Sequence, residues 1–186
     1  MHAERCMDTS LHHCSMVEAT SLYQYLFCIR RGQTSTKNII QYLVLSISVE
    51  QVGRAADSAG LIIDLAPLLE ELATLNQALL AAQDTLETAF DDQRRSRVNA
   101  ALRQLERAWG EAEGLPGRPW FRNIFATSNR DSGYGAVVLP LFNEAIVDHD
   151  QAALNRALKR YRIAFRRLSA AAMKISDVGV DPSGGS

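Results

Sequence analysis

Alternating steps of three and four residues between apolar side chains run through two segments of this chain. The first seam lies within residues 65–86 and consists of Leu65, Leu68, Leu72, Leu75, Leu79, Ala82 and Leu86. The second seam lies within residues 154–175 and consists of Leu154, Leu158, Tyr161, Phe165, Leu168, Ala172 and Ile175. This spacing places each set on one side of an α-helix. Because such a surface is unfavourable in water, the two predicted helices must bury their seams against each other.

Signals for helix ends place the remaining helices. Asp64 is a candidate N-cap for the first seam helix, and Pro67 is tolerated because it falls in the first turn. A second helix carries an apolar face formed by Val98, Ala101, Leu105 and Ala108. A short helix begins at Pro140, and Asp148 or Asp150 caps the last helix. The sequence therefore predicts an all-α fold: an antiparallel helical bundle of about four helices, with a long irregular loop between the second and third.

Charge and hydropathy give no sign of a membrane partner. The formal net charge is -1, so there is no general attraction to an anionic surface. The longest nearly apolar run, Ile39–Val49, is shorter than the ~20 residues that span a bilayer. Residues 1–20 lack the basic region, the apolar stretch and the cleavage site of a secretory signal. We therefore expect no membrane segment in this chain, and no compartment is assigned to it.

The last predicted helix is basic. Its lysines and arginines are Arg156, Lys159, Arg160, Arg162, Arg166, Arg167 and Lys174. A nucleic-acid interface would use such a patch. However, the set surrounds much of the helix, and no exposed aromatic residues are interleaved with it. We interpret these residues as a solvated or protein-interface surface and expect no nucleic-acid partner.

The composition changes near residue 54. All three cysteines and three of the four histidines precede this point, and alanine is scarce there. We predict three parts: residues 1–53 as an N-terminal extension without an assigned fold, residues 54–178 as the helical domain, and residues 179–186 as a flexible tail. The extension is either an artefact of a mis-joined or truncated reading frame, or a genuine extension that is disordered. The composition leaves both interpretations open.

The cysteines and histidines of the extension raise a metal hypothesis. Cys6, His12, His13 and Cys14 lie close together in the sequence, and zinc favours such ligands. Structural zinc sites, however, pair their ligands as C-x2-4-C and H-x3-5-H, and neither spacing occurs here. We predict free thiols and no metal site. His149, the only histidine of the helical part, is predicted to be a surface residue.

One segment interrupts the helical pattern. Residues 114–140, GLPGRPWFRNIFATSNRDSGYGAVVLP, concentrate glycine, proline, aromatic and small polar residues. Compact domains rarely contain a loop of this length unless it is functional or packs against something. Neither a P-loop nor a dinucleotide-binding glycine motif is present, so no phosphate site is indicated.

This segment resembles part of the C-terminal helical domain of the transferrin receptor and glutamate carboxypeptidase II family. The resemblance rests on GLPGRPWFR at 114–122, SGYG at 132–135, and Pro140 at the start of a short helix. A preceding LERA helix and a following long amphipathic helix complete it. It covers about residues 54–175 and does not extend to the residues before them.

The resemblance implies a domain that is not an enzyme on its own. In enzymes of that family a separate α/β domain holds two zinc ions, and the helical domain forms much of the homodimer interface. We therefore expect a homodimer, no cofactor in this chain, and a parent dizinc metallopeptidase whose peptidase domain is a partner, this chain being a fragment of it. Two alternatives stay open: a free-standing helical interaction module without a peptidase partner, and an enzyme whose catalytic half is a separate polypeptide. Members of the family mostly act outside the cytoplasm.

The resemblance also assigns a role to the loop, which in the family lines the pocket for the C-terminal residue of the substrate. By this resemblance Ser132, Gly133 and Tyr134 are the candidate substrate-pocket residues. Tyr134 matches the tyrosine of a lysine–tyrosine pair that meets a terminal glutamate, and its hydroxyl can donate to a carboxylate. Gly133 occupies the position of the lysine. The resemblance therefore does not imply selectivity for a substrate with an acidic terminal residue. The alternative is that Tyr134 packs within the loop.

Overall fold

The computed structural model of the chain describes residues 37–87 and 92–179. It contains the helices α1 (Lys37–Ser58), α2 (Ala66–Glu87), α3 (Asp92–Arg107), α4 (Pro140–Val147) and α5 (Gln151–Gly179), and the strands β1 (Ala126–Ser128) and β2 (Ala136–Val138). The helices form a bundle, which confirms the predicted all-α class, and the two short strands are an addition to it. The Cys6, His12, His13 and Cys14 cluster and tail residues 180–186 lie outside the described residues.

Polar residues and a proline begin the helices close to the predicted positions. The Asp64 carboxylate accepts a hydrogen bond from the N–H of Ala66, the first residue of α2 (3.0 Å). Asp150 caps α5 by accepting the N–H of Ala153 (2.8 Å). Pro140 is the first residue of α4, where a missing N–H costs no helical hydrogen bond. These contacts satisfy amides that the helices cannot satisfy internally.

The two seams form the centre of the core, as predicted. Their buried members are Leu68, Leu72, Leu75, Leu79, Ala82, Leu154, Tyr161, Phe165, Leu168, Ala172 and Ile175. Leu65 and Leu158 are half-buried against the same core, and the side chain of Leu86 lies outside the described part. Each fully buried Leu or Phe contributes about 1.5–3 kcal/mol to folding. The seams therefore supply much of the driving force for the bundle.

The two seam helices run in the same direction. Ile62, just before α2, hydrogen-bonds the side chain of Gln151 at the start of α5. Near the other ends of the same helices, the Thr85 hydroxyl lies 3.5 Å from the Ser176 carbonyl oxygen. This pair is therefore an exception to the predicted antiparallel arrangement, because an apolar stripe can pack in either direction and the seams do not determine it. The intervening α3, loop and α4 determine which direction is adopted.

Helix α1 runs through the compositional boundary at residue 54. Leu45, Val49 and Val52 of this helix are buried in the same core as the seams. The apolar run Ile39–Val49 lies within this helix. No helix among the described residues is long and apolar enough to cross a membrane.

Candidate functional site

The loop between α3 and α4, residues 108–139, is attached to α5 by two arginines. Arg160 donates to the carbonyl oxygen of Gly114 (2.6 Å), and Arg167 donates to that of Gly110 (3.1 Å). Both guanidinium groups also pair with the largely buried carboxylate of Glu111. Charge-assisted hydrogen bonds of this kind are stronger than neutral ones. They fix the start of the loop on the bundle.

Other basic residues of α5 also pair within the molecule. Arg162 and Arg166 both approach the carboxylate of Glu71 on α2. The hydrogen bond from Arg166 is the main cause of a lowered pKa of Glu71. Arg156 lies 3.7 Å from Asp150. This pairing favours the interpretation of the basic helix as a structural surface.

The first glycine of GLPGRPWFR is required by a close backbone approach. Gly114 has a φ of 63°, and a Cβ there would lie 2.3 Å from the carbonyl oxygen of Pro119. The N–H of Leu115 donates to the carbonyl of Phe121, and the N–H of Arg118 donates to that of Leu115 (3.0 Å each). No side chain larger than hydrogen fits this tight turn.

Buried aromatic rings support the loop from the bundle side. The ring centroids of Trp109 and Phe125 are 4.8 Å apart. Trp109 also meets Phe165 of α5 edge-on, at 5.8 Å. Leu115 and Ile124 are fully buried beside the same core. The loop is thus an integral part of the domain, with apolar residues on its inner side.

A buried hydroxyl connects the loop to α4. The Tyr161 hydroxyl donates to the carbonyl oxygen of Ile124 (2.9 Å) and accepts the N–H of Leu141 (3.1 Å). The Tyr161 side chain is completely buried, and its ring lies 4.6 Å from that of Phe142. Burial raises the pKa of Tyr161 well above its ordinary value. This residue, predicted only as an apolar seam member, is therefore also a polar connection.

Arg118 joins three parts of the loop region. One guanidinium nitrogen pairs with the Glu144 carboxylate of α4, and another donates to the carbonyl oxygen of Ser128 in β1 (3.2 Å). The guanidinium also lies 5.3 Å from the centroid of the Phe121 ring. The Arg118 and Glu144 side chains are only 13% and 11% exposed. Burial raises the pKa of Glu144, and the positive charge of Arg118 opposes this effect.

The middle of the loop is a β-hairpin. Strands β1 and β2 pair antiparallel, with Thr127 opposite Val137. The loop was predicted to be irregular throughout, and the structure corrects this by showing a hairpin in its middle. Strands of three residues are too short for an alternating pattern to be recognised in the sequence.

The hairpin ends in a turn of residues 129–135, here called the tip turn. The Asn129 side-chain oxygen accepts the N–H groups of Asp131 and Ser132 (2.9 Å each). The Ser132 hydroxyl donates to the carbonyl of Tyr134 (2.9 Å). Gly133 adopts a φ of 68°, which glycine reaches without strain. Side chains that bond their own backbone thus define the turn.

The three predicted pocket residues lie next to one another on the surface of the tip turn. Ser132 and Gly133 are exposed, and the Tyr134 residue is 85% exposed. An exposure this high disfavours the alternative in which Tyr134 packs within the loop. Asn129 and Arg130, which precede these residues in the turn, were not predicted from the sequence. The cluster of turn-forming residues in SNRDSGYG was the available signal.

The described residues do not fit a zinc pair of the kind that the resemblance implies for the parent enzyme. Residues 37–87 and 92–179 contain no group of three or more His, Cys, Asp or Glu side chains that could hold a metal ion. His149 is exposed, as predicted, and its Nδ1 lies 3.2 Å from the carbonyl oxygen of Ala59. It is thus engaged in a structural contact between two turns.

Comparison with known proteins identifies the fold that carries this loop. Residues 63–175 match the family model of the transferrin receptor-like dimerisation domain. The match includes all of α2, α3 and α4, the complete loop and most of α5. No curated protein matches the chain. A domain of this kind serves self-association and is not catalytic by itself. The chain belongs to the transferrin receptor-like dimerisation domain family.

Proposed function

We propose that the chain is the dimerisation and pocket-completing domain of a zinc-dependent exopeptidase similar to glutamate carboxypeptidase, and that it is a piece of this longer protein. The tip turn is the observation that carries the proposal. It holds Tyr134 85% exposed, on a turn with specific internal hydrogen bonds. A loop with a defined conformation that presents an aromatic side chain outward is suited to contact a substrate or another domain.

Exposed apolar side chains support a homodimer. Leu69 and Leu80 of α2 are 42% and 44% exposed, and Ile163 of α5 is 52% exposed. None of them belongs to the seams, so the bundle itself does not use them. We infer that these side chains lie in a surface that a partner covers, since contiguous apolar surface left in water is typical of an interface. A two-fold interface would pair such a surface with its own copy.

In this proposal the chemistry and the substrate pocket come from different parts of the parent protein. The two zinc ions belong to the peptidase domain, where they would activate water for hydrolysis. The helical domain contributes the tip turn, from which the Tyr134 hydroxyl donates to the terminal carboxylate of the peptide. Gly133 supplies no positive charge, so we expect no strong preference for an acidic terminal residue.

The DNA upstream of Met1 tests whether the chain is a piece of a peptidase. The proposal expects a zinc-peptidase reading frame there, in any of the three frames. Regulatory sequence without such a frame would contradict it and would favour the free-standing helical module. A zinc-peptidase gene elsewhere whose product co-purifies with this chain would instead favour a catalytic half on a separate polypeptide.

A conservative substitution tests the role of Tyr134 in the intact parent enzyme. Tyr134→Phe removes one hydroxyl and with it one hydrogen bond to the substrate. The transition state should lose about 0.5–1.5 kcal/mol of stabilisation, which lowers kcat/KM roughly two- to thirteen-fold. The melting temperature should hardly change, since the side chain is exposed. Trp120→Phe is the matched control, because Trp120 is also exposed but lies outside the tip turn. A large fall in melting temperature with unchanged kinetics would contradict the substrate contact.

A further inference from the structure

The side chain of Arg130 connects the tip turn to the bundle. The two terminal nitrogens of Arg130 donate to the two carboxylate oxygens of Asp148, both at 2.7 Å. The hydrogen bonds of the Asn129 and Ser132 side chains stay within the turn. So does the contact of the Arg130 Nε with Asp131. Within the described part of the chain, Arg130 therefore makes the only side-chain hydrogen bonds between the tip turn and the bundle.

The acceptor of this ion pair lies at a well-fixed corner of the bundle. Asp148 directly follows the last residue of α4, and its own N–H donates to carbonyl oxygens in the last turn of that helix. The next residue, His149, contacts the Ala59 carbonyl in the α1–α2 connection. Gln151 donates to the Ile62 carbonyl (2.7 Å) and accepts the Ile62 N–H (2.8 Å). Asp148 is thus a well-fixed attachment point for the tip turn.

The tip turn itself has little else to hold it in place. The strands that lead into it are three residues long, and a two-stranded hairpin is marginally stable in isolation. The space beside Gly133 and Gly135 is open, with no atom within 4 Å of a Cβ built there. Tyr134 is exposed and adds no apolar packing. The orientation of the turn therefore depends largely on polar contacts, of which, among the described residues, the pair of Arg130 with Asp148 is the one made by a side chain of the turn itself.

We propose that Arg130 is a positioning residue, which holds the tip turn and its Tyr134 in one orientation through the two-pronged ion pair with Asp148. The inference rests on the proposed function, in which the tip turn contacts a substrate or another domain. Paired planar groups fix direction as well as distance. The hydrogen bond from Arg130 lowers the pKa of Asp148, which favours the charged carboxylate that the ion pair requires. Because the pair is partly exposed, concentrated salt weakens it.

Hydrogen exchange of the full chain, followed by mass spectrometry, tests this role. In Arg130→Met and in Asp148→Asn, the amides of residues 129–135 should exchange roughly five-fold faster, because an exposed ion pair contributes modestly to local order. The amides of α2 and α5 should exchange as in the wild type. Arg156→Met is the matched control, since it removes an exposed ion pair with Asp150 away from the turn. The exchanged pair Arg130→Asp with Asp148→Arg should restore slow exchange.

Two results would overturn the assignment. Unchanged exchange of residues 129–135 in Arg130→Met would mean that the ion pair does not hold the turn. Faster exchange throughout the chain, with a lower melting temperature, would mean that the pair stabilises the whole domain instead. Both outcomes are independent of Tyr134 kinetics in the parent enzyme. The positioning role and the proposed function can therefore fail separately.

Discussion

Replacing Arg118 by methionine is expected to destabilise the folded chain by about 3–5 kcal/mol, the usual cost of removing one partner of a buried ion pair. The substitution removes the guanidinium that pairs with Glu144 and donates to the Ser128 carbonyl. The Glu144 side chain, 11% exposed, would then carry an uncompensated charge in the interior. Urea unfolding of the full chain at pH 7, compared with the wild type, measures this difference in the free energy of unfolding.

Two controls separate the charge effect from lost packing. The double variant Arg118→Met with Glu144→Leu should recover most of the stability, because no buried charge remains.

The second control is the pH dependence of stability. Burial already raises the pKa of Glu144, and loss of Arg118 should raise it further. A carboxyl group with a raised folded-state pKa contributes stability below its ordinary pKa of 4.5 and loses it as the pH rises through the folded-state value. The deficit of Arg118→Met should therefore be smaller below pH 4.5 than at pH 7. A deficit that is independent of pH would contradict this account.

Tyr161→Phe is expected to cost about 2–4 kcal/mol, or ~4–16 °C in Tm, although it removes a single oxygen atom. The hydroxyl bridges the Ile124 carbonyl and the Leu141 N–H, and the tyrosine is fully buried. Without it, two backbone groups lose their side-chain partner in the interior, where water cannot replace it. Thermal unfolding followed by circular dichroism measures the change.

Tyr134→Phe is the matched control for this second substitution. It removes the same atom from a tyrosine that is 85% exposed, and the free energy of unfolding should change by less than about 0.5 kcal/mol. Equal effects of the two substitutions would show that the Tyr161 hydroxyl does not connect the loop to α4 in solution.

The sequence predicts the bundle well because its helices are long and strongly periodic. The seams, the proline that begins α4 and the Asp150 cap are all local signals. Helix direction is different, since an apolar stripe packs equally well in parallel or antiparallel. The hairpin also escapes prediction, because β1 and β2 have only three residues each. Helix α1 crosses the compositional boundary at residue 54, and the change in composition did not predict that residues on both sides of it are buried in the core.

Within the loop, the sequence indicates which residues are unusual but not which ones meet. Ser132, Gly133 and Tyr134 were assigned by resemblance, and they lie together because they are adjacent in the chain. Arg118 and Glu144 are 26 residues apart, and both types are usually found on surfaces. Their burial depends on how the loop folds back onto α4. Long-range polar pairs of this kind require the tertiary structure.

Self-association is the central claim, and sedimentation equilibrium of the full chain over a wide range of concentration tests it most directly. The exposed Leu69, Leu80 and Ile163 side chains would be covered by a second copy of the chain. We expect a mass of twice the 20.6 kDa of one chain at micromolar concentrations, or larger species if the apolar surface aggregates. A well-behaved monomer at high micromolar concentration would contradict autonomous dimerisation, and would indicate that another domain covers this surface.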